Sequence, residues 1–280
     1  MSLIASLPEI DKHSKAVYVM HEKSEKYIPA HTHKKGQLSY VEGGIAYIYV
    51  KNKTYIIPAR HYFWVPVGLE HTLKVGHSAT VLRSIFFYNY DDDKDPFYTK
   101  MGIYPMNDLL MEMIKYTEKW DGVITPKDSR YQFLSVIKNI LPEISTRMIP
   151  IALPQTENER MQAIIKYIDK HISENHSLQS ISSKFGMSER SLSRLFQTTV
   201  GVSFLQYLKL LRMVRAFEML LLKDKSVSEI AYSIGYQSLS AFSNTFYLFT
   251  NLRPSDFHEY KLLPSKRGDV NHNSLYADRK

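Results

Sequence analysis

The sequence predicts an α+β protein of two domains: a small all-β unit with appended helices, then an all-helical unit. Three observations carry this expectation. Residues 16–90 alternate apolar and polar side chains in short runs broken by turn signals, the period of half-buried strands. Beyond residue 156 the apolar positions shift to helical spacing. Within 177–260 one helical pattern occurs twice around a long apolar helix, a repeat in register that chance seldom produces.

Composition agrees with two soluble cores. The chain has 280 residues, 44% of them hydrophobic, which excludes wholesale disorder. Its formal charge is +8, with 19 basic against 16 acidic residues up to Gln155 (+3) and 17 against 12 beyond it (+5). That excess suits a polyanion and supports it only weakly. There is no cysteine, hence no disulfide frame and no thiolate chemistry. The opening residues lack a cationic start with an apolar core, and no run has membrane-spanning length, so the default location is the cytoplasm.

In chain order, strands are expected at Gln37–Glu42, Ile45–Val50, Thr54–Ile57, Tyr62–Val65 and Thr80–Tyr88, with hairpin turns at Gly43-Gly44 and Lys51-Asn52-Lys53. Many short strands at close spacing read as a small sandwich or barrel. His31, His33 and Gln37 have even spacing, which on one extended strand puts them on one face, and the turn Pro66-Val67-Gly68-Leu69-Glu70-His71 delivers another imidazole. Three imidazoles and an amide can hold a borderline divalent ion such as Zn, Ni, Cu or Fe, or hydrogen-bond an organic effector, or simply line a barrel with polar groups. A metal there is expected to be lost as the pH falls through the imidazole range. His13, His21, His61 and His77 have no such companions and read as surface or packing residues.

Asp91-Asp92-Asp93-Lys94-Asp95 reads as a solvated connector, since it lacks the spacing of a calcium loop. Two amphipathic helices follow, Met106–Trp120 and Arg130–Ile144, with Pro142 near the end of the second. They either pack on the barrel or form the seam of a homodimer. Domain one therefore spans 1–145, and the proline-bearing 146–156 is the linker. The helical domain occupies 157–262 and opens with a capping box from Thr156 to Glu159; further boxes are expected at Ser203–Gln206 and Ser226–Glu229. Residues 263–280 are polar and aperiodic, a tail expected to be disordered.

The repeated pattern reads Ile181 to Ser188, then Leu192–Phe196; and Ile230 to Tyr236, then Phe242–Phe246. In each, a short apolar helix stops at a Gly, Gly186 or Gly235, and another helix begins within a few residues, as helix-turn-helix requires. The first recognition helix offers Arg190, Ser193, Arg194 and Gln197 outward, side chains able to read base edges. The second offers Ser238, Ser240 and Asn244 and carries no Lys or Arg, so weaker DNA binding is expected of it.

On these residues the C-terminal region, from about Met161 to Tyr260, resembles the AraC-type DNA-binding domain. The resemblance implies two recognition helices bridged by a long one, here Phe204–Leu222, each entering a major groove of double-stranded DNA, and RNA polymerase as a partner. The first region resembles a cupin sensor barrel, with His31-x-His33 followed by Gln37 and a Pro-x-Gly-x-x-His turn ending at His71. Gln37 stands where metal-binding cupins carry Glu, and Arg60 where the second motif usually begins with Gly. Together they imply a regulator of transcription controlled by a small molecule or metal, with no catalytic residues. The alternative is a metal-dependent cupin enzyme with an accessory helical domain.

Overall fold

The computed structural model describes residues 2–21, 26–75, 81–149, 152–222, 224–250 and 252–256. His77 and the tail at 263–280 lie outside them. No helix among the described residues is long and apolar enough to cross a membrane.

The N-terminal half begins with a helix absent from the sequence reading, α1 (Leu3–Lys12), whose N-terminus Ser2 caps by accepting from the Ala5 amide. Pro8 inside it obscured the pattern. The strands are β1 (Val17–Met20), β2 (Tyr27–His31), β3 (Gly36–Glu42), β4 (Ile45–Val50), β5 (Lys53–Pro58), β6 (His61–Val65), β7 (His71–Val75), β8 (Val81–Phe87), β9 (Gly102–Pro105), β10 (Gly122–Ile124) and β11 (Ala152–Pro154). They form two antiparallel sheets, β10-β1-β8-β3-β6-β9 and β11-β5-β4-β7-β2. The expected barrel is realised as this stacked pair, whose strands do not join into one closed ladder among the described residues.

Side-chain alternation assigns each sheet face a task. Val41, Phe63, Val65 and Phe86 of the six-stranded sheet meet Ile28, Ala46, Ile48, Ile57 and Leu73 of the other in a shared interior, which Leu3 and Ile10 of α1 also enter. The opposite face of the six-stranded sheet, with Leu38, Tyr40, Tyr62 and Trp64, is covered by α2 (Asp108–Tyr116) and α3 (Arg130–Ile144). Helix α2 is shorter than expected at both ends: Asn107 accepts from the Leu110 amide and starts it, and it closes at Tyr116 with Thr117 as C-cap. The outer face of the five-stranded sheet, with Ile45 and Ile56, packs against the C-terminal half.

The acidic loop is not a solvated connector. Lys138 on α3 is fully buried, pairs with Asp91 and with Asp92 at 2.7 Å, donates to the Tyr88 carbonyl at 2.8 Å, and lies over the Tyr88 and Tyr98 rings. A lysine inside an apolar stripe needs such partners, since an unpaired buried ammonium is very costly.

The linker expectation also needs correction. Residues 152–154 form β11, an edge strand with Ala152 opposite Tyr55 and Pro154 opposite Lys53. A proline is tolerated there because an edge leaves one side of the strand without a ladder. The capping box at Thr156 is absent: Asn158 caps α4 (Glu159–Lys170) by accepting from the Met161 amide at 2.9 Å. The other two boxes form, Ser203 with Gln206 and Ser226 with Glu229.

The C-terminal half continues with α5 (Leu178–Lys184), α6 (Glu189–Thr199), α7 (Phe204–Leu222), α8 (Val227–Ser233) and α9 (Leu239–Thr250). Helix α7 carries one core at each end. Tyr207, Leu208 and Leu211 join α4, α5 and α6, whereas Met213, Phe217, Leu220 and Leu221 join α8, α9 and the sheet face.

Replacing Lys138 with Met should strand two half-buried carboxylates and lower stability by about 3–5 kcal/mol. Urea unfolding at pH 7 measures it; a loss under 1 kcal/mol would show the pairing to be dispensable.

Candidate nucleic-acid interface and effector site

Both helix-turn-helix units form as the repeat requires. Gly186 (φ 61°) and Gly235 (φ 87°) hold the left-handed conformation that ends α5 and α8 and opens each turn. Leu192 and Phe196 of α6, and Phe242 and Phe246 of α9, are buried at i, i+4 spacing, so the opposite faces point to solvent.

On α6 the outward face carries Arg190, Ser193, Arg194 and Gln197, all exposed. Ser188 caps the helix by accepting from the Ser191 amide at 3.1 Å. On α9, Ser240 and Asn244 are exposed, and Ser238 caps the helix by accepting from the Ala241 amide at 3.2 Å. The Ser238 hydroxyl hydrogen remains available to a phosphate. The structure adds one cation that the helix sequence lacks: Arg253 lies beyond α9 with its guanidinium 5.0 Å from the Tyr247 ring centroid. Its signal was present in the sequence, but only the fold brings it back against Tyr247.

In the N-terminal half, His31, His33 and His71 are buried, and one ligand nitrogen from each lies within 4.8 Å of the others. The route differs from the single strand face expected. His31 ends β2, His33 sits in the following loop, Gln37 is on β3, and His71 opens β7 directly opposite His31.

The three rings share one hydrogen-bonding arrangement. Nδ1 of His31 faces the Pro29 carbonyl at 2.8 Å, that of His71 the Leu69 carbonyl at 2.9 Å, and that of His33 the Lys35 carbonyl at 2.5 Å. A carbonyl oxygen only accepts, so each Nδ1 carries the hydrogen and each Nε2 keeps the lone pair. His33 Nε2 also lies 2.9 Å from the Gln37 amide, which contacts Ser39 Oγ at 2.9 Å, itself 2.7 Å from Ser84 Oγ. Gln37 presents Oε1 to His33 and donates from Nε2 to Ser39; an Nδ1-bound hydrogen on His33 requires the opposite amide rotamer, with NH2 toward the ring and Oε1 accepting from Ser39.

Burial lowers the pKa of His33, and lowers that of His71 to about 3 with help from its neighbour His31. Both rings are therefore neutral at pH 7, the form that ligates. The other histidines differ. His21 is buried, with Nε2 2.9 Å from Thr117 Oγ1 and its pKa lowered to about 4, chiefly by burial. His61, read as unremarkable, reaches the C-terminal half through Nε2, 3.0 Å from the Thr250 carbonyl.

Comparison with known proteins matches two family models, an AraC-like ligand binding domain over residues 17–104 and a helix-turn-helix domain over residues 181–260. The HTH-type transcriptional regulator NimR of Escherichia coli is 25% identical over 241 residues, 85% of this chain and 86% of that protein. The HTH-type transcriptional activator RhaS of Citrobacter koseri is 30% identical over 100 residues, 36% of each chain. A structure of ToxT from Vibrio cholerae is 15% identical, covering 87% of this chain and 97% of that one at a TM-score of 0.36.

The buried neutral histidines set the acid response. A ring whose folded pKa lies below its unfolded value of about 6.5 stabilises the fold fully above pH 6.5 and progressively less as the pH falls toward the folded value. Between pH 6.5 and 4, His71 should cost about 1.4 kcal/mol per pH unit. Urea midpoints at pH 7, 5.5 and 4.5 should fall more steeply for the wild type than for His71→Gln; parallel curves would contradict the assignment.

Proposed function

The chain belongs to the AraC family of transcription regulators, with a ligand-binding half and a DNA-binding half, and on that premise we propose how each half works. Helix α6 reads one half-site of double-stranded DNA through Arg190, Ser193, Arg194 and Gln197. Helix α9 engages the next through Ser238, Ser240 and Asn244. The paired sheets take up a divalent transition metal as effector on His31, His33 and His71. The protein has no turnover of its own, and acts in the cytoplasm on DNA and RNA polymerase.

The observation that carries the metal reading is the shared ring orientation: three Nδ1 atoms face main-chain carbonyls, which leaves the opposite nitrogens as the ligands at one buried place, where a metal would displace the Gln37 contact of His33. Histidine ligands are commonly oriented this way by their other nitrogen. The donor set fits. Nitrogen ligands about 2.1 Å from a tetrahedral Zn ion stand about 3.4 Å apart, so a pair at the 4.8 Å limit would close by about 1.4 Å. Three imidazoles suit Zn, Ni, Cu or Fe, and the neutral Gln37 in place of a carboxylate disfavours hard ions such as Mg.

The DNA reading rests on charge and exposure. Arginine and glutamine make bidentate base contacts, so α6 supplies direct readout, while the serines and asparagine of α9 suit phosphates and DNA shape. Exposed Leu109 and Tyr116 on α2 and Val136 on α3 support a homodimer seam on the helical layer of the sensor.

Arg194→Ala should weaken specific binding roughly tenfold or more and relax base preference in one half-site, with Arg190→Ala similar or smaller. Systematic base substitution should show steep losses in the α6 half-site and shallow ones in the α9 half-site. Equal losses in both, or unchanged affinity for both variants, would refute the assignment.

Zn titration by calorimetry of untagged protein should give one ion per chain, abolished in the triple variant His31→Ala, His33→Ala, His71→Ala. Equal uptake by both would remove the metal from the site and leave an organic effector as the reading to pursue.

A further inference from the structure

The last turn of α9 leaves main-chain carbonyls without partners inside the helix. Two of them find partners in the other half of the molecule. His61 opens β6 and is completely buried, with Nε2 3.0 Å from the Thr250 carbonyl and Nδ1 3.0 Å from the carbonyl of Ala59, two residues before it. Arg147, in the segment after α3, donates from Nη2 to the Leu248 carbonyl at 3.2 Å. Tyr47 on β4 donates to Glu218 of α7 at 3.0 Å. Around these contacts Ile45, Ile56, Ala59 and Ile149 pack with Phe217, Leu220 and Phe246.

We propose that His61 is a releasable cap, contributed by the effector-binding half, that docks the end of the second recognition helix and so sets where the second DNA-binding unit sits. It rests on no assumption about the effector. The exposed side chains Ser240 and Asn244 lie toward the start of α9, away from the capped end, so docking leaves the DNA face open. The contact therefore orients the helix and does not cover it.

Releasability follows from the hydrogen count. Burial, aided by the neighbouring Arg60 charge, keeps the ring neutral. A neutral imidazole has one N–H and here faces two carbonyls that only accept. With the hydrogen on Nε2 it holds Thr250 and the halves are docked. With the hydrogen on Nδ1 it bonds Ala59 within its own domain, and a lone pair faces the Thr250 carbonyl. The two states differ by one hydrogen bond across the interface, a difference small enough for a bound ligand or DNA to reverse.

The position of His61 also connects it to the imidazole cluster. It pairs with Val41 in the same β3–β6 ladder that pairs Gln37 with Val65, four residues or about 13 Å away. Gln37, Ser39 and Val41 are alternate residues of β3 and share the inward face with His33's contact. A shift of β3 at Gln37 would thus be felt at His61.

Two conservative variants separate the nitrogens, because a glutamine amide nitrogen can occupy the place of Nε2 and an asparagine amide nitrogen that of Nδ1. In the full-length protein, H61Q should keep the wild-type hydrogen-exchange protection of the last turn of α9. H61N should exchange there about tenfold faster. Footprint titration should show H61N losing affinity several-fold at the half-site of α9, with the α6 half-site unchanged. Arg147→Ala, an exposed change that spares folding, should speed exchange in the same turn to a smaller extent. Wild-type exchange in H61N, or equal losses in H61Q and H61N, would overturn the proposal. If H61N fails to fold, an Arg147→Ala effect that is absent, or spread evenly over the helical half, would overturn it too.

Discussion

Helix α7 is apolar around most of its circumference, and that constraint organises the molecule. Eleven of its nineteen residues are buried, more than one face can account for. A helix of that kind has to be enclosed by several neighbours. Its first half is enclosed by α4, α5 and α6, its second by α8 and α9 together with the outer face of the five-stranded sheet. Two DNA-binding units thereby share one strut. The same burial sets the effector-binding half chiefly against the second of them, while the first meets it through Leu153 of β11. An asymmetric core gives the two units unequal dependence on the sensor, before any difference in their DNA-facing side chains.

The sensor follows a comparable logic of faces. Each strand of the six-stranded sheet sends one set of side chains to the helical layer and the other to the shared interior. The interior is mostly Val, Ile, Leu and Phe, and in it the polar series His33, Gln37, Ser39 and Ser84 is satisfied member by member. Buried polar groups are costly unless paired, so a continuous chain of partners is what makes this arrangement compatible with a stable core. It also fixes the orientation of His33 beside His31 and His71. The cluster is held by main-chain carbonyls and by a neighbouring strand, so its geometry comes from the fold and not from flexible side chains.

The two recognition helices illustrate how similar scaffolds carry different chemistry. Both bury a pair of large apolar residues four apart, and both begin at a capping serine. Their outward faces diverge, with two arginines on α6 and hydroxyl and amide groups on α9. Arg253, a cation beside α9, comes from the following segment and lies against Tyr247. Charge at the second unit is therefore placed by tertiary packing.

By itself the sequence determined what depends on local periodicity and backbone stereochemistry. The helix-turn-helix repeat was legible because buried side chains recur every three to four residues and because Gly186 and Gly235 occupy turns that need positive φ. The strands from Gln37 to Val65 were legible through their two-residue alternation. Contacts between distant segments were not. His31 and His33 were expected on one strand, yet they lie on a strand end and a loop, and they meet His71 because β2 pairs with β7. The burial of Lys138 has no mark in the sequence, because only packing places Asp91 and Asp92 against it. Residues 146–156 read as a linker, since a three-residue edge strand is too short to show a period. His61 could be recognised only once α9 was seen to end beside it, because no spacing along the chain records which carbonyl lies 189 residues away.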